Sequence, residues 1–245
     1  MTVADNLIRV RDQIAAACAR SGRDPASVTL IAVSKTHPPP AVLAAAAAGV
    51  QHFGENRVEE ATIKIHAVRA QIDQPLVWHM IGHIQSRKAK DVPPLFQVVH
   101  SVDTLRLAQR LSSEMRERGG ALDVLLEVNI SGEASKAGFA ASGWQQNAAL
   151  RASLWREIAQ IVALPGLNVR GLMTMAHIVA EMEQARPLFA DLAALRAALV
   201  EQLNTALPDL SMGMTDDYPV AIEEGATMVR IGRAIFGERE KGEQV

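Results

Sequence analysis

Cysteine is almost missing from this chain: Cys18 stands alone in 245 residues. No disulfide can form within it, so stability has to come from a packed core, and a lone thiol in an alanine-rich helical pattern suits a reducing cytoplasm. A dominant charge is missing too. Lys and Arg number 25 against 27 Asp and Glu, a formal net charge of −2. No sequence-wide positive field draws the chain to nucleic acid or to an anionic membrane. Long apolar runs are absent, and none approaches the roughly 20 residues that cross a bilayer. The stretch AVLAAAAAGV at 41–50 is mostly alanine with Gly49 near its end, which fits a short packed helix. The first residues lack a basic segment followed by an apolar one, so no signal peptide is expected. Aromatics make up 4 % of the chain, with one tyrosine. A soluble cytoplasmic monomer is the expectation.

What is present alternates between two periodicities. Residues 3–20 repeat apolar positions at helical spacing, and Gly22 is a plausible stop. Eight short apolar runs read as strands: 29–35, 50–56, 76–82, 97–103, 123–129, 168–175, 210–213 and 228–235. Most are apolar on both faces, as parallel strands covered by helices require. Helical stretches separate them, so the chain reads as an α/β protein with a single (β/α)8 TIM barrel; a doubly wound open sheet is the main alternative. No low-complexity linker, short repeat or composition shift marks a second domain, and one domain over residues 1–245 is expected. The longest irregular insertion, 131–152, follows the fifth strand.

Chemistry in such a barrel sits at the C-terminal strand ends. The first strand runs through Leu30–Val33 to Ser34 and Lys35, then meets Thr36, His37 and three prolines that cannot continue a ladder. Lys35 is either an edge charge or an amine placed for chemistry, since a desolvated ammonium becomes a usable nucleophile. The seventh run leads into SMGMTDD, a turn before a helix whose first turn carries Asp216, Asp217 and Pro219. The eighth contains RIGRAIFG, where Gly232 lets the backbone come close to something. Loops after strands seven and eight often bind phosphate, although Thr215 or Asp216 capping a helix needs no ligand. A lysine facing a phosphate cradle would suit a phosphorylated aldehyde: pyridoxal 5′-phosphate, or the sugar-phosphate substrate of a Schiff-base aldolase.

The segments AVSKTHP, HFGENRVEEA, WHMIGHIQSRK, HSVD, GLMTM and LSMGMTDDYPVAIEEGATMVRIGRAIFG, taken together, resemble the YggS/PROSC family of pyridoxal phosphate homeostasis proteins. The likeness runs from about residue 5 to 239, in the family's order. It implies a barrel of the alanine racemase N-terminal type, fold type III among pyridoxal phosphate proteins. It also implies that Lys35 forms a Schiff base with the cofactor and that Asn56 lies near the ring. Arg230 would approach the pyridine nitrogen. Ser211, the turn Gly213 to Thr215, Gly232 and Arg233 would surround the phosphate. Three positions depart from the family pattern: His83 stands for a usual proline, Arg87 for an asparagine, and Arg233 for a threonine whose hydroxyl is thereby lost.

An arginine at the ring nitrogen would keep the pyridine unprotonated and weaken it as an electron sink. Racemases of this fold take their second base from a tyrosine on an extra domain, for which this chain has no room. The favoured reading is therefore a cofactor carrier that hands pyridoxal phosphate to apo-enzymes, without a second catalytic base; a weak amino-acid racemase and, third, a Schiff-base aldolase are the enzymatic alternatives. Remaining candidates read blandly. His79 and His83 have metal-like spacing but no Cys or carboxylate cluster. His37 and His100 suggest no role, and Met173, Met175, Met212 and Met214 read as barrel filling. Arg87, Lys88 and Lys90 read as a solvated face, and Lys136 as a side chain that could reach the open mouth.

Overall fold

The computed structural model describes residues 2–176 and 181–238. Its centre is a ring of parallel strands. In chain order these are β1 (Thr29–Val33), β2 (His52–Glu55), β3 (Val77–Met80), β4 (Val98–Val102), β5 (Leu122–Asn129), β6 (Phe139–Ala140), β7 (Leu167–Met173), β8 (Asp209–Ser211) and β9 (Met228–Ile231). Each strand pairs with the next, β6 only hangs on the end of β5, and β9 pairs back onto β1. Omitting β6, eight strands close a barrel. Closure removes the open edges that a doubly wound sheet would expose.

Helices α1 (Val3–Arg20), α2 (Pro39–Ala47), α3 (Val58–Arg69), α4 (Leu105–Arg118), α5 (Ala148–Val162), α6 (Arg186–Leu203), α7 (Tyr218–Glu223) and α8 (Arg233–Phe236) surround the ring. α1 starts with a reciprocal cap: Thr2 Oγ1 accepts from Asp5 N, and the Asp5 carboxylate accepts from Thr2 N. It then packs over α7 and α8. Between strands and helices lies the main core, where Phe53 and Trp78 stack with ring centroids 5.5 Å apart. Each such fully buried ring contributes on the order of 2–3 kcal/mol. Inside the barrel the apolar filling is small: Val98, Leu125 and Met173, with Val77 and Met228 against them.

The structure corrects four expectations. The eighth run stops being strand at Ile231; Gly232 turns the chain and Arg233–Phe236 form α8. The third strand is followed by a 3₁₀ helix, Ser86–Asp91, instead of an α-helix. α7 begins at Tyr218, and neither Thr215 nor Asp216 caps it; Asp217 precedes it and accepts instead from Met214 N at 2.6 Å. Of the four methionines, Met173 fills the barrel, Met212 packs in the outer core, Met214 is half-buried in the turn before α7, and Met175 is exposed.

Candidate functional site

The C-terminal end of the ring carries the chemistry. Lys35 follows β1 by one residue beyond Ser34 and lines a cavity of about 400 Å³ with Val33, His37, Gly232, Arg233 and Gly237. His37 stacks against Phe236, centroids 4.9 Å apart. Gly232 lets the backbone come close here: a Cβ would sit 3.2 Å from the Val33 carbonyl oxygen, a tight contact that the neighbouring backbone would have to relieve. Of the eight residues singled out from the sequence, Lys35, Gly232 and Arg233 thus share one cavity.

The others lie around and beneath it. Arg230, third residue of β9, points into the barrel and is fully enclosed. Its Nη1 donates to Ser211 Oγ at 2.6 Å and its Nη2 to the Thr174 carbonyl at 2.9 Å. Burial pulls its pKa down to about 10, against the pull of Asp217 and Glu127, so it remains a cation at neutral pH. Glu127 and Asp217 are themselves buried, and burial raises both carboxyls. Ser211 is therefore occupied below the mouth, bonded to a guanidinium. Gly213 turns the chain above it with φ 92°; its carbonyl accepts from Arg230 N at 3.0 Å. Thr215 lines a separate depression with Gln13, Arg20 and Tyr218. Asn56 lines another with Gly82, His83 and Arg87. Gly82 has no alternative there, because a Cβ would stand 2.3 Å from the Asn56 carbonyl oxygen.

A chain of histidines runs from this arginine through the barrel, and sequence reasoning missed it. His100 Nδ1 lies 2.8 Å from Ser211 Oγ, His100 Nε2 2.8 Å from His79 Nδ1, and His79 Nε2 2.9 Å from His52 Nδ1. Its direction follows from donor counting. A guanidinium only donates, so Ser211 accepts from Arg230; among the described residues the hydroxyl's one other partner is His100 Nδ1, and its own proton goes there. His100 and His79 then carry their protons on Nε2 and pass them along toward half-buried His52. Neutral rings are what this pattern requires. Burial supplies them, holding His79 at a pKa of about 3 and His100 well below the ordinary value. The signal in the sequence was one histidine at an inward position on each of three successive strands.

The departures from the family pattern are exposed side chains, each with a polar partner, of which Asp103 is buried. His83 Nδ1 sits 3.0 Å from Asp103 Oδ2, Arg87 donates to Gln85 Oε1, and Arg233 forks onto Asp216. His79 lies inside the barrel and His83 outside it; among the described residues no group of three or more potential ligands could hold a metal ion. Lys88 pairs with Glu59. Lys136 bonds Glu133 and the Met175 carbonyl beyond β7, at the mouth end. Tyr218 is buried, its hydroxyl on Gln13 and its pKa pushed up to about 12 by burial. Among the described residues no helix is long and apolar enough to cross a membrane.

A closed parallel barrel with a lysine just past its first strand defines a class, and comparison with known proteins agrees. The family model of the alanine racemase N-terminal domain matches residues 6–240. The pyridoxal phosphate homeostasis protein of Pseudomonas aeruginosa is 46% identical over 242 residues, covering 98% of this chain and 97% of that protein. Its counterpart in Aquifex aeolicus is 38% identical over 240 residues, covering 98% of this chain and 100% of that protein. The structure of PipY from Synechococcus elongatus with pyridoxal phosphate (PLP) bound superposes with a TM-score of 0.80 at 36% identity, covering 96% of this chain and 100% of that one. The chain belongs to the family of pyridoxal phosphate homeostasis proteins.

Proposed function

We propose that this protein binds pyridoxal 5′-phosphate as a Schiff base on Lys35 Nζ, in the cytoplasm, and serves PLP homeostasis by holding the cofactor and delivering it to apo-enzymes. The observation that carries the reading is Lys35 lining one cavity with Gly232 and Arg233. The relatives' names and the PLP-bound PipY structure support the choice of aldehyde. The residues fit the group. Asn56 Oδ1 is buried without a hydrogen-bond partner among the described residues, as an atom awaiting a ligand would be. The backbone N–H groups of Arg233 and Ala234 at the start of α8 have no intrahelical acceptor and would face a phosphate, with those of Gly213 and Thr215 beside them, Met214 N being held by Asp217. Arg230 would meet the pyridine nitrogen as a donor, because Ser211 and Thr174 hold its guanidinium in place.

When bound, the cofactor supplies an aldehyde carbon open to reversible attack by an amine. Lys35 supplies the amine, and release reverses the same bond with water. The sole tyrosine has its hydroxyl on Gln13, away from the Lys35 cavity, which supports a carrier over a racemase. His37 lines the Lys35 cavity and is the observation that favours a slow amino-acid racemase as a second reading. The test is transfer. The loaded protein is mixed with an apo PLP-dependent enzyme in the presence of a scavenger that destroys free PLP. Recovery of enzyme activity under the scavenger supports delivery; no recovery, with free PLP equally effective in its absence, refutes it. Exchange of the α-proton of alanine in heavy water, abolished in His37→Asn, would favour the racemase instead.

A further inference from the structure

The turn that presents Lys35 is strained. Thr36 has φ 67°, in the left-handed region; among the described non-glycine residues only Asn204 shares a positive φ. A β-branched side chain rarely adopts that conformation, and it persists only where surrounding contacts over-determine it. Backbone bonds give part of that hold, Ser34 N to the Gly54 carbonyl and His37 N to the Ser34 carbonyl, both at 3.0 Å; the side-chain part is organised by one buried ammonium on α3. The Lys64 side chain is 5% exposed. Its Nζ donates to the Ser34 carbonyl at 2.7 Å, to Glu55 Oε1 at 2.7 Å and to Glu60 Oε1 at 2.9 Å. All three of its protons are used. Glu60 Oε1 also accepts from Thr36 N at 2.5 Å, and Ser34 Oγ donates to Glu55 Oε1 at 2.6 Å. The residues on both sides of Lys35 are thereby tied to Lys64, one directly and one through Glu60. The i,i+4 spacing of Glu60 and Lys64 puts both on one face of α3, toward the turn.

We propose that Lys64 is a positioning residue for Lys35: with Glu55 and Glu60 as counter-ions, it holds the Ser34–Thr36 backbone in the one conformation that aims the Lys35 amine into its cavity. This rests on the reading of Lys35 as the reactive amine. A purely stabilising ion pair would explain less. Replacing a buried pair by apolar or neutral groups of similar size is often without cost. The Ser34 carbonyl also keeps a second partner, His37 N at 3.0 Å, when Lys64 is gone. What Lys64 and Glu60 add to those bonds is one side-chain cluster that grips both flanks of Lys35.

The test separates stability from aim. The double variant Glu55→Gln/Lys64→Met removes the two buried charges together and preserves size. Two quantities are measured well below its unfolding temperature. One is amide hydrogen exchange of residues 34–37 in the cofactor-free protein. The other is the rate at which PLP and borohydride label Lys35, relative to exposed Lys90. The double variant is expected to exchange Thr36 about tenfold faster. It is also expected to label Lys35 about tenfold more slowly, with labelling of Lys90 unchanged. Parent-like values of both would overturn the proposal. If the double variant does not fold, Glu60→Ala decides. It keeps the bonds of Lys64 to Glu55 and to the Ser34 carbonyl and removes the Glu60 link between Lys64 and Thr36, so slower Lys35 labelling supports the proposal and an unchanged rate overturns it. A parent that never labels at Lys35 would defeat the cofactor reading, while exchange at Thr36 would still judge the hold of Lys64 on the turn.

Discussion

Replacing Ser211 by alanine deletes one oxygen from the barrel interior and disturbs two buried groups at once. Arg230 Nη1 loses its acceptor at 2.6 Å and His100 Nδ1 its donor at 2.8 Å. Arg230 keeps its bond to the Thr174 carbonyl, so the guanidinium is half-satisfied rather than stranded. An unsatisfied buried group costs about 1–3 kcal/mol, with the upper end for a charged one. The two together should destabilise the fold by about 3 kcal/mol. For a chain of this length each kcal/mol lowers Tm by roughly 2–4 °C, so a fall of about 6–12 °C is expected. Urea denaturation followed by far-UV circular dichroism measures it. ¹⁵N NMR of the histidine rings adds the direction of the chain: Nε2-protonated His79 and His100 in the parent, and a changed tautomer at His100 in the variant. A loss below about 1 kcal/mol with unchanged tautomers would refute both the burial cost and the donor assignment.

Three further outcomes follow from the same structure. In Gly82→Ala the new Cβ would collide with the Asn56 carbonyl oxygen at 2.3 Å, so backbone must move; a loss of about 3 kcal/mol is expected in denaturant titration, and a loss below about 1 kcal/mol would show that the β2 and β3 loops yield freely. His100 stays neutral in the fold well below its ordinary pKa, whereas the unfolded chain protonates it near pH 6.5. The stability it contributes is therefore present above about pH 6.5 and is lost as pH falls toward the folded value. Against His100→Gln, the parent should lose about 1.4 kcal/mol per pH unit between about pH 6 and pH 5. Glu55 and Glu127, whose carboxyls burial raises, act in the opposite sense but equally in both proteins, so a pH-independent difference would contradict neutral His100. Arg233→Thr breaks a pair whose side chains are 53% and 69% exposed; its effect on thermal stability should stay within about 0.5 kcal/mol, and a larger loss would mean the Asp216 contact bears on the fold.

Much of the barrel was legible because strand and helix periods differ and each buried strand is a short apolar run. Closure was not. It depends on β9 pairing with β1 and β4 with β5, contacts between segments whose local sequence is the same in an open sheet. The overrun at Ala234 and Ile235 has a local cause: an apolar run after a glycine serves a helix as well as a strand. The cavity at Lys35 was legible from strand ends, since each candidate lies at the end of its own run. The histidine chain was not, because its members are 27 and 21 residues apart and meet only once the strand register is fixed. Lys64 was hidden for a different reason. On an amphipathic helix rich in charge it looks solvated, and only the burial of Glu55 at the end of β2 draws it inward. Tyr218 opens α7, but the direction of its hydroxyl toward α1 had no sequence signal.

The central claim is that Lys35 holds the cofactor through its amine. The most direct test adds PLP to the purified protein, records the absorption spectrum, reduces with borohydride and maps the modified lysine by peptide mass spectrometry, with Lys35→Ala alongside. The account predicts an imine band in the parent, fixed on Lys35 at one equivalent, and neither band nor saturable labelling in the variant. A parent without the band, or one labelled to the same extent at other lysines while Lys35 stays unmodified, would contradict it.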